Sequence, residues 1–273
     1  MSSTVYFLSD VHVGAGDPAT EAAKERDLVD FLRLPGNGDR LYLLGDVFDF
    51  WYDFDAPPPD RYTAVLRALR ECTARGVAVA FMGGNHDWWA RVGRGPGWLE
   101  RAIGVEVIDD PHLVEHQGRR LLLTHGDALG GADGSYRFVR WVLHHPVAIR
   151  AFGLLPPRLA YRIADRTSGA SRSRHHEEML EAYRRRLREK ARARLARGDL
   201  DAILAGHVHH PERTEVDHGV YLNLGDWVTH RTYARLRDGE LALETFRPTS
   251  GPRRERADAP LEKRRGEDST SQS

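Results

Sequence analysis

The chain of 273 residues contains a single cysteine, Cys72, so no disulfide can form within it. It has no excess of charge, since 40 basic residues balance 40 acidic ones, whereas a general nucleic-acid binder usually carries a basic excess. It also lacks an apolar run of the roughly 18 residues that a membrane-spanning helix needs. These absences argue against a disulfide-rich scaffold, a transmembrane protein and a nucleic-acid binder.

The N-terminus has no segment typical of a signal peptide, because MSSTVYFLSD lacks a basic start followed by a long apolar stretch. Hydrophobic residues make up 41% of the chain and charged residues 29%, a balance typical of a globular protein rather than a disordered one. We therefore expect a globular cytoplasmic protein. A peripheral position on a membrane is compatible with this composition.

Six short apolar runs each end in a polar turn, at residues 4–9, 41–44, 77–82, 121–123, 202–204 and 220–224. The runs are continuous rather than alternating, which is typical of strands covered on both faces. Helical patterns separate the first three runs, so the predicted fold class is α/β. Because ligands in such folds gather at the carboxyl ends of the strands, the six turns can share one edge.

Residues 135–197 differ from the rest of the chain and show helical rather than strand patterns. Their first part is apolar from Phe138 to Leu155, and residues 171–198 contain ten Lys or Arg against four Glu. We interpret this region as a helical insertion, or cap, within a domain of residues 1–247. Residues 248–273 are charged and rich in Pro, Ser and Arg, a composition that predicts a disordered tail.

The polar residues at the strand ends are types that bind divalent metals: Asp10, His12, Asp46, Asn85, His86, His125, His207 and His209. The outer residues of Asp10-Val11-His12 and of His207-Val208-His209 can point the same way. Carboxylate, imidazole and amide ligands together suit Mn, Fe or Zn. Eight such groups exceed the needs of one ion, so we expect two divalent ions that share Asp46 as a bridge.

Each of these features has a plainer explanation when it is taken alone. A single histidine is more often structural, Gly126-Asp127 is most often a turn, and Asp49 is explained equally well as a helix cap or as a support for a ligand. The ordered set DxH, GD, GNHD, HGD and GHxH, with each segment after a strand, is hard to obtain by chance. The set therefore favours a metal centre.

These segments resemble the calcineurin-like metallophosphoesterases across about residues 4–247, apart from the insertion. The resemblance implies a four-layer α-β-β-α sandwich. It implies a first metal held by Asp10, His12, Asp46 and His209. It implies a second metal held by Asp46, Asn85, His125 and His207. His86 would contact the phosphate and protonate the leaving oxygen, and Asp87 would orient His86.

A narrower resemblance lies in LSDVHVG, LLGDVFDFWYDF, GGNHDWW, THGDALG and NLGDWVTH. These segments resemble the bacterial UDP-2,3-diacylglucosamine diphosphatases of lipid A synthesis, in particular the branch with GNHD. The resemblance implies cleavage of the pyrophosphate bond of a lipid-linked nucleotide, releasing UMP and 2,3-diacylglucosamine 1-phosphate. It also implies Mn²⁺ as the foremost metal and the inner leaflet of the inner membrane as a partner surface.

The insertion offers physical support for a lipid substrate, because it combines apolar residues with Arg172, Arg174 and an arginine-rich helix. A basic amphipathic helix is typical of a membrane surface element. An ordinary helical hairpin with a solvated charged face explains the same composition. Trp51, Trp88, Trp89 and Trp227 likewise fit either a substrate groove or the core.

Two other functions stay open at this point. One is a metallophosphoesterase that acts on another phosphodiester or phosphomonoester, such as a nucleotide, a phosphoprotein or a nucleic acid. We expect no nucleic-acid partner, because no long basic track with stacking aromatics is visible. The other is a binding module that has lost catalysis, which the complete ligand set disfavours. The sequence makes no prediction of an oligomeric state.

Overall fold

The computed structural model describes residues 3–54, 56–91, 95–127, 129, 145–172, 177–216 and 219–248. Residues 135–144 and 173–176 of the predicted insertion, which include Phe138 and Arg174, lie outside the described residues. The predicted tail lies outside them from residue 249 onwards.

The first sheet has six strands in the order β11-β10-β1-β2-β3-β4. Its parallel strands are β1 (Val5–Leu8), β2 (Arg40–Leu44), β3 (Ala78–Met82) and β4 (Glu106–Ile108). Strands β10 (Thr232–Arg237) and β11 (Glu240–Thr245) extend the sheet in antiparallel pairings.

The second sheet has five strands in the order β5-β6-β7-β9-β8. Its parallel strands are β6 (Arg119–Thr124), β7 (Ala202–Ala205) and β9 (Gly219–Leu224). Antiparallel strands flank them, namely β5 (His112–His116) and β8 (Pro211–Val216).

Helices cover the outer face of each sheet. They are α1 (Pro18–Phe31), a 3₁₀ turn (Asp60–Tyr62), α2 (Thr63–Ala74), α3 (Trp98–Ile103), α4 (Pro146–Gly153), α5 (Pro157–Arg172) and α6 (Glu177–Leu195). The core divides into three apolar clusters: one between the sheets, one between the first sheet and α1–α3 with α5, and one between the second sheet and α6. The predicted α/β fold with a four-layer sandwich is therefore confirmed.

Individual strands show why their sequences are apolar at every position. In β1, Phe7 belongs to the cluster between the sheets while Leu8 packs toward the helices. In β7, Leu204 faces the first sheet while Ile203 packs with α6. Because successive side chains point to opposite faces and both faces are covered, both sets must be apolar.

Five strands of the described residues were not predicted from the sequence, namely β4, β5, β8, β10 and β11. Four of these form the outer edges of the two sheets, where one side of the ladder is open and polar residues are tolerated. Strand β8, with the sequence PERTEV, is typical because its burial alternates and its apolar residues are few. A search for continuous apolar runs does not detect such strands.

The basic helix α6 packs on the second sheet through Leu187, Ala191 and Leu195, which are buried. Arg188 on this helix forms a bidentate ion pair with Glu212, in which Nε and Nη2 donate to the two carboxylate oxygens at 2.5 and 3.0 Å. Part of its positive charge is therefore neutralised within the protein. Among the helices of the described residues, none combines the length and apolar character that a membrane span requires.

Candidate metal centre

The first group of predicted ligands meets where β1, β2 and β7 end. His209 Nε2 lies 3.3 Å from Asp10 Oδ1 and 3.1 Å from His12 Nε2. His12 Nε2 in turn lies 3.7 Å from Asp46 Oδ2. One atom from each of Asp10, His12 and His209 falls within 4.8 Å of the others, which is close enough for a single ion to bind all three.

The second group lies on the other side of Asp46. His125 Nε2 is 3.1 Å from Asn85 Oδ1 and 3.5 Å from Asp46 Oδ2. The ligand atoms of Asp46, His125 and His207 also lie within 4.8 Å of one another. Asp46 Oδ2 therefore faces an imidazole of each group, which is the position a bridging carboxylate oxygen needs.

The hydrogen bonds leave the atoms that face the centre free for a metal. Asp10 Oδ2 accepts a hydrogen bond from the His207 amide at 2.9 Å, whereas Asp10 Oδ1 is buried without a hydrogen-bond partner. His125 Nδ1 donates to the Leu44 carbonyl oxygen at 2.9 Å, so Nε2 is the nitrogen that faces the centre. Buried polar atoms without partners are rare in proteins, and these residues fit two divalent ions.

Burial and neighbouring charges shift the pKa values of the histidines at the centre in different directions. Although burial lowers the pKa of His125, the adjacent Asp46 carboxylate raises it to about 10. Burial lowers the pKa of both His12 and His207 to about 3, with smaller contributions from neighbouring histidines. His12 and His207 are therefore neutral imidazoles at pH 7, which is the form that binds metal, whereas His125 must release a proton to do so.

The backbone at the centre is strained. Five of the seven predicted ligands have a positive φ between 51° and 72°: Asp10, His12, Asp46, His207 and His209. Residues with a Cβ occupy this region only when the surrounding structure enforces it, and such residues cluster at functional sites. Gly206 permits the close packing that this requires, because a Cβ there would collide with Asp10 Oδ2 and Ser9 Oγ.

The structure gives Asp87 other contacts than the one to His86 that the resemblance implies. The Asp87 carboxylate instead accepts hydrogen bonds from backbone amides at 2.7–3.0 Å, donated by Asp46, Val47, Phe48 and Gly84. Asp87 follows His86 in sequence, but its buried side chain points into the turn after β2, where those amides lie. It therefore shapes the loop that presents Asp46.

Asp49 is the residue beside His86. His86 Nδ1 donates to the Asp49 carbonyl oxygen at 2.9 Å, and Asp49 Oδ1 lies 3.6 Å from the same nitrogen. The same carboxylate oxygen lies 3.9 Å from His12 Nδ1. The sequence left two explanations open for Asp49, a helix cap or a support for a ligand. The structure favours the support, because no helix begins at this position.

Tyr183 on α6 is a site residue that the sequence did not indicate. Its ring centroid lies 5.3 Å from that of His207, and its hydroxyl donates to the Asp127 carbonyl oxygen at 3.0 Å. It lies far in sequence from the five motifs, in a helix distinguished only by its charge. The tryptophans Trp51 and Trp227 are buried in the core, so for these two the core explanation is correct.

A sequence profile of the calcineurin-like phosphoesterase family matches residues 3–211. A protein of Xanthomonas oryzae pv. oryzae named UDP-2,3-diacylglucosamine hydrolase is 33% identical over 254 residues, covering 89% of this chain and 99% of that protein. Proteins with the same name from Xanthomonas campestris pv. campestris and Ralstonia nicotianae are also 33% identical, covering 88% and 89% of this chain and 98% and 93% of their own lengths. The chain therefore belongs to the calcineurin-like phosphoesterase family and is a metal-dependent hydrolase.

Proposed function

We propose that this protein hydrolyses the pyrophosphate bond of UDP-2,3-diacylglucosamine to UMP and 2,3-diacylglucosamine 1-phosphate. The observation that carries the proposal is the convergence of Asp46 and six other predicted metal ligands, in a chain similar to hydrolases of that name over almost their whole length. In the reaction the bridging P–O bond breaks. Water supplies a hydroxyl group to one phosphorus and a proton to the oxygen that leaves.

We assign one divalent ion to Asp10, His12, Asp46 and His209. We assign the other to Asp46, Asn85, His125 and His207. Mn²⁺ is the preferred ion, and Fe or Zn also suit this ligand set. Two such ions, when bound, lower the pKa of a coordinated water and offset the negative charge of the phosphoryl oxygens.

His86 is the residue proposed to protonate the leaving oxygen. Its Nδ1 is occupied by the Asp49 carbonyl oxygen, so Nε2 is the atom that can hold a proton for transfer. The side chain retains 16% exposure, which gives a phosphate access to it. Asp87 contributes indirectly, because the amides that it binds belong to the loop carrying Asp46.

We also propose that residues 135–197 form a cap that binds the lipid part of the substrate at the inner leaflet. Large apolar side chains are exposed on this part of the chain: Val147 on α4 at 65%, Leu154 directly after α4 at 86%, and Leu159 and Ile163 on α5. Both helices also carry exposed arginines, namely Arg150, Arg158 and Arg162. Anionic lipid attracts each such residue by about 1 kcal/mol, so a cytoplasmic, peripheral membrane location follows from the proposal.

The proposal is tested with purified full-length protein and Mn²⁺, by measuring turnover of UDP-2,3-diacylglucosamine in mixed micelles beside a small artificial phosphodiester. We expect efficient release of UMP together with the lipid 1-phosphate, and only slow cleavage of the small diester. Metal-dependent cleavage of the diester without any release of UMP would preserve the hydrolase assignment and reject this substrate.

A further inference from the structure

Lys24 on α1 is a buried lysine, with 1% of its side chain exposed, whereas lysine is almost never fully buried unless it is paired. Its ammonium pairs with Glu21 Oε2 at 2.8 Å. A buried ion pair is weak evidence for added stability, because the cost of desolvating both charges offsets their attraction. The proposed hydrolysis also assigns no role to this lysine.

The ammonium group contacts the loop that follows the first ligand pair. Lys24 Nζ donates to the His12 carbonyl oxygen at 2.5 Å and to the Ala15 carbonyl oxygen at 3.3 Å. Glu21 binds the same loop, since its Oε1 accepts a hydrogen bond from the Gly14 amide at 2.6 Å. The two charged side chains therefore bind both donors and acceptors of the loop backbone after His12.

This loop needs external support because its backbone is strained. Asp10 has φ 54° and His12 has φ 51°, a left-handed conformation that is unfavourable for residues with a Cβ. The His12 amide donates to the Asp46 carbonyl oxygen at 2.9 Å, so its amide side is held by the turn after β2. Lys24 holds the carbonyl side.

Trp227 connects the same parts of the structure a second time. Its backbone amide donates to the Asp10 carbonyl oxygen at 3.0 Å, and its indole Nε1 donates to the Lys24 carbonyl oxygen at 3.3 Å. The segment from Asp10 to His12 is therefore bracketed by α1 on one side and by Trp227 on another. The side chains of Lys24 and Trp227 are both buried, so these contacts are shielded from water.

We propose that Lys24 and Glu21 are a positioning pair that holds His12 in its ligand conformation and thereby sets the affinity of the first metal position, formed by Asp10, His12, Asp46 and His209. The pair acts on the metal position through the backbone of His12 and of the loop that follows it. The second position is held differently, since His125 is anchored by the Leu44 carbonyl oxygen. Loss of the Lys24 side chain should therefore lower the Mn²⁺ affinity of the first metal position more than that of the second.

The test is a Mn²⁺ titration of the metal-free, full-length protein, with free Mn²⁺ followed by electron paramagnetic resonance. Lys24→Met keeps a long apolar side chain in the buried space and removes the donor and the charge. We expect the first position to bind Mn²⁺ about tenfold more weakly, the scale typical of residues that support metal ligands, and the second to be unchanged. Lys190→Met, at an exposed position on α6, is the matched control and should bind as wild type.

The His125→Ala variant disables the second metal position. Comparing Mn²⁺ binding in this variant with and without Lys24→Met therefore shows whether the loss of affinity belongs to the first position. Equal weakening of both positions, or a lower melting temperature with unchanged Mn²⁺ affinity, would show that Lys24 is merely structural. If Lys24→Met does not fold, Glu21→Gln should give a smaller, site-selective weakening, and unchanged affinity there would also overturn the inference. Because the inference rests on the proposed two-metal site, wild-type protein that binds no Mn²⁺ would instead reject that site itself.

Discussion

Asp49 stands directly behind His86, with its carbonyl oxygen 2.9 Å and its carboxylate 3.6 Å from His86 Nδ1. The same carboxylate lies 3.9 Å from His12 Nδ1. One buried residue therefore holds the imidazole proposed to protonate the leaving group and lies beside an imidazole proposed to bind metal. A hydrogen-bonded partner fixes the tautomer and orientation of a histidine.

We expect Asp49→Asn to reduce kcat by roughly 10- to 100-fold, the scale typical of residues that support a catalytic or ligating histidine. The backbone carbonyl remains in this variant, so only the contribution of the carboxylate is removed. Steady-state kinetics at saturating Mn²⁺ measure the effect, and Asp60→Asn, at an exposed position, is the control. An unchanged kcat with an unchanged pH profile would show that the Asp49 carboxylate has no role in turnover.

Asp87→Ala should act on stability. The substitution leaves four backbone amides without their acceptor, and each buried unsatisfied group costs about 1–3 kcal/mol. Allowing for relaxation, we expect the free energy of unfolding, measured by urea denaturation, to fall by about 3 kcal/mol or more. Asp60→Ala should change it by less than about 0.5 kcal/mol. Wild-type stability combined with a large loss of kcat would restore Asp87 as the partner of His86.

Gly206→Ala should disrupt the metal centre, because the added Cβ would collide with Asp10 Oδ2 and Ser9 Oγ. We expect weaker Mn²⁺ binding and at least a tenfold loss of activity, since Asp10 must move. Gly95→Ala is the control, because nothing lies within 4 Å of a Cβ at that glycine and its φ is not in the left-handed region. Normal Mn²⁺ affinity in Gly206→Ala would show that Asp10 is not a ligand in this geometry.

The proposed membrane surface is tested by the double variant Val147→Glu, Leu154→Glu. Both side chains are largely exposed, so folding should be unaffected, while two added negative charges disfavour contact with anionic lipid. We expect weaker binding to anionic vesicles and slower turnover of the lipid substrate, with cleavage of a small phosphodiester unchanged. Leu113→Glu changes another apolar residue, 62% exposed on β5, and should behave as wild type. Equal vesicle binding by both variants would exclude α4 and its C-terminal end as the membrane surface.

The sequence predicted the architecture well where several independent patterns agreed. Apolar runs ending at Asp10, Asp46 and His125 identified buried parallel strands, and the order of the motifs placed their ends at one edge. The edge strands escaped detection because exposed positions tolerate polar residues. Strand β5, with the sequence HLVEH, has no fully buried position.

The contacts within the centre were less predictable, because they depend on how side chains point after the loops have closed. Asp87 adjoins His86 in sequence, yet its carboxylate turns toward the amides after β2, and Asp49 takes the place beside His86. Tyr183 reaches His207 only because α6 packs on the second sheet. The sequence offers no indication of the role of Lys24, because its contacts exist only where α1 meets the folded loop after His12.

The most direct test of the account is UMP release from UDP-2,3-diacylglucosamine, measured while metal-free protein is titrated with Mn²⁺, beside Asp46→Ala and His125→Ala. We predict that activity rises as the second equivalent of Mn²⁺ binds, and that both variants lose at least roughly a hundredfold. Full activity in Asp46→Ala, or UMP release that does not depend on added metal, would contradict a two-metal centre bridged by Asp46.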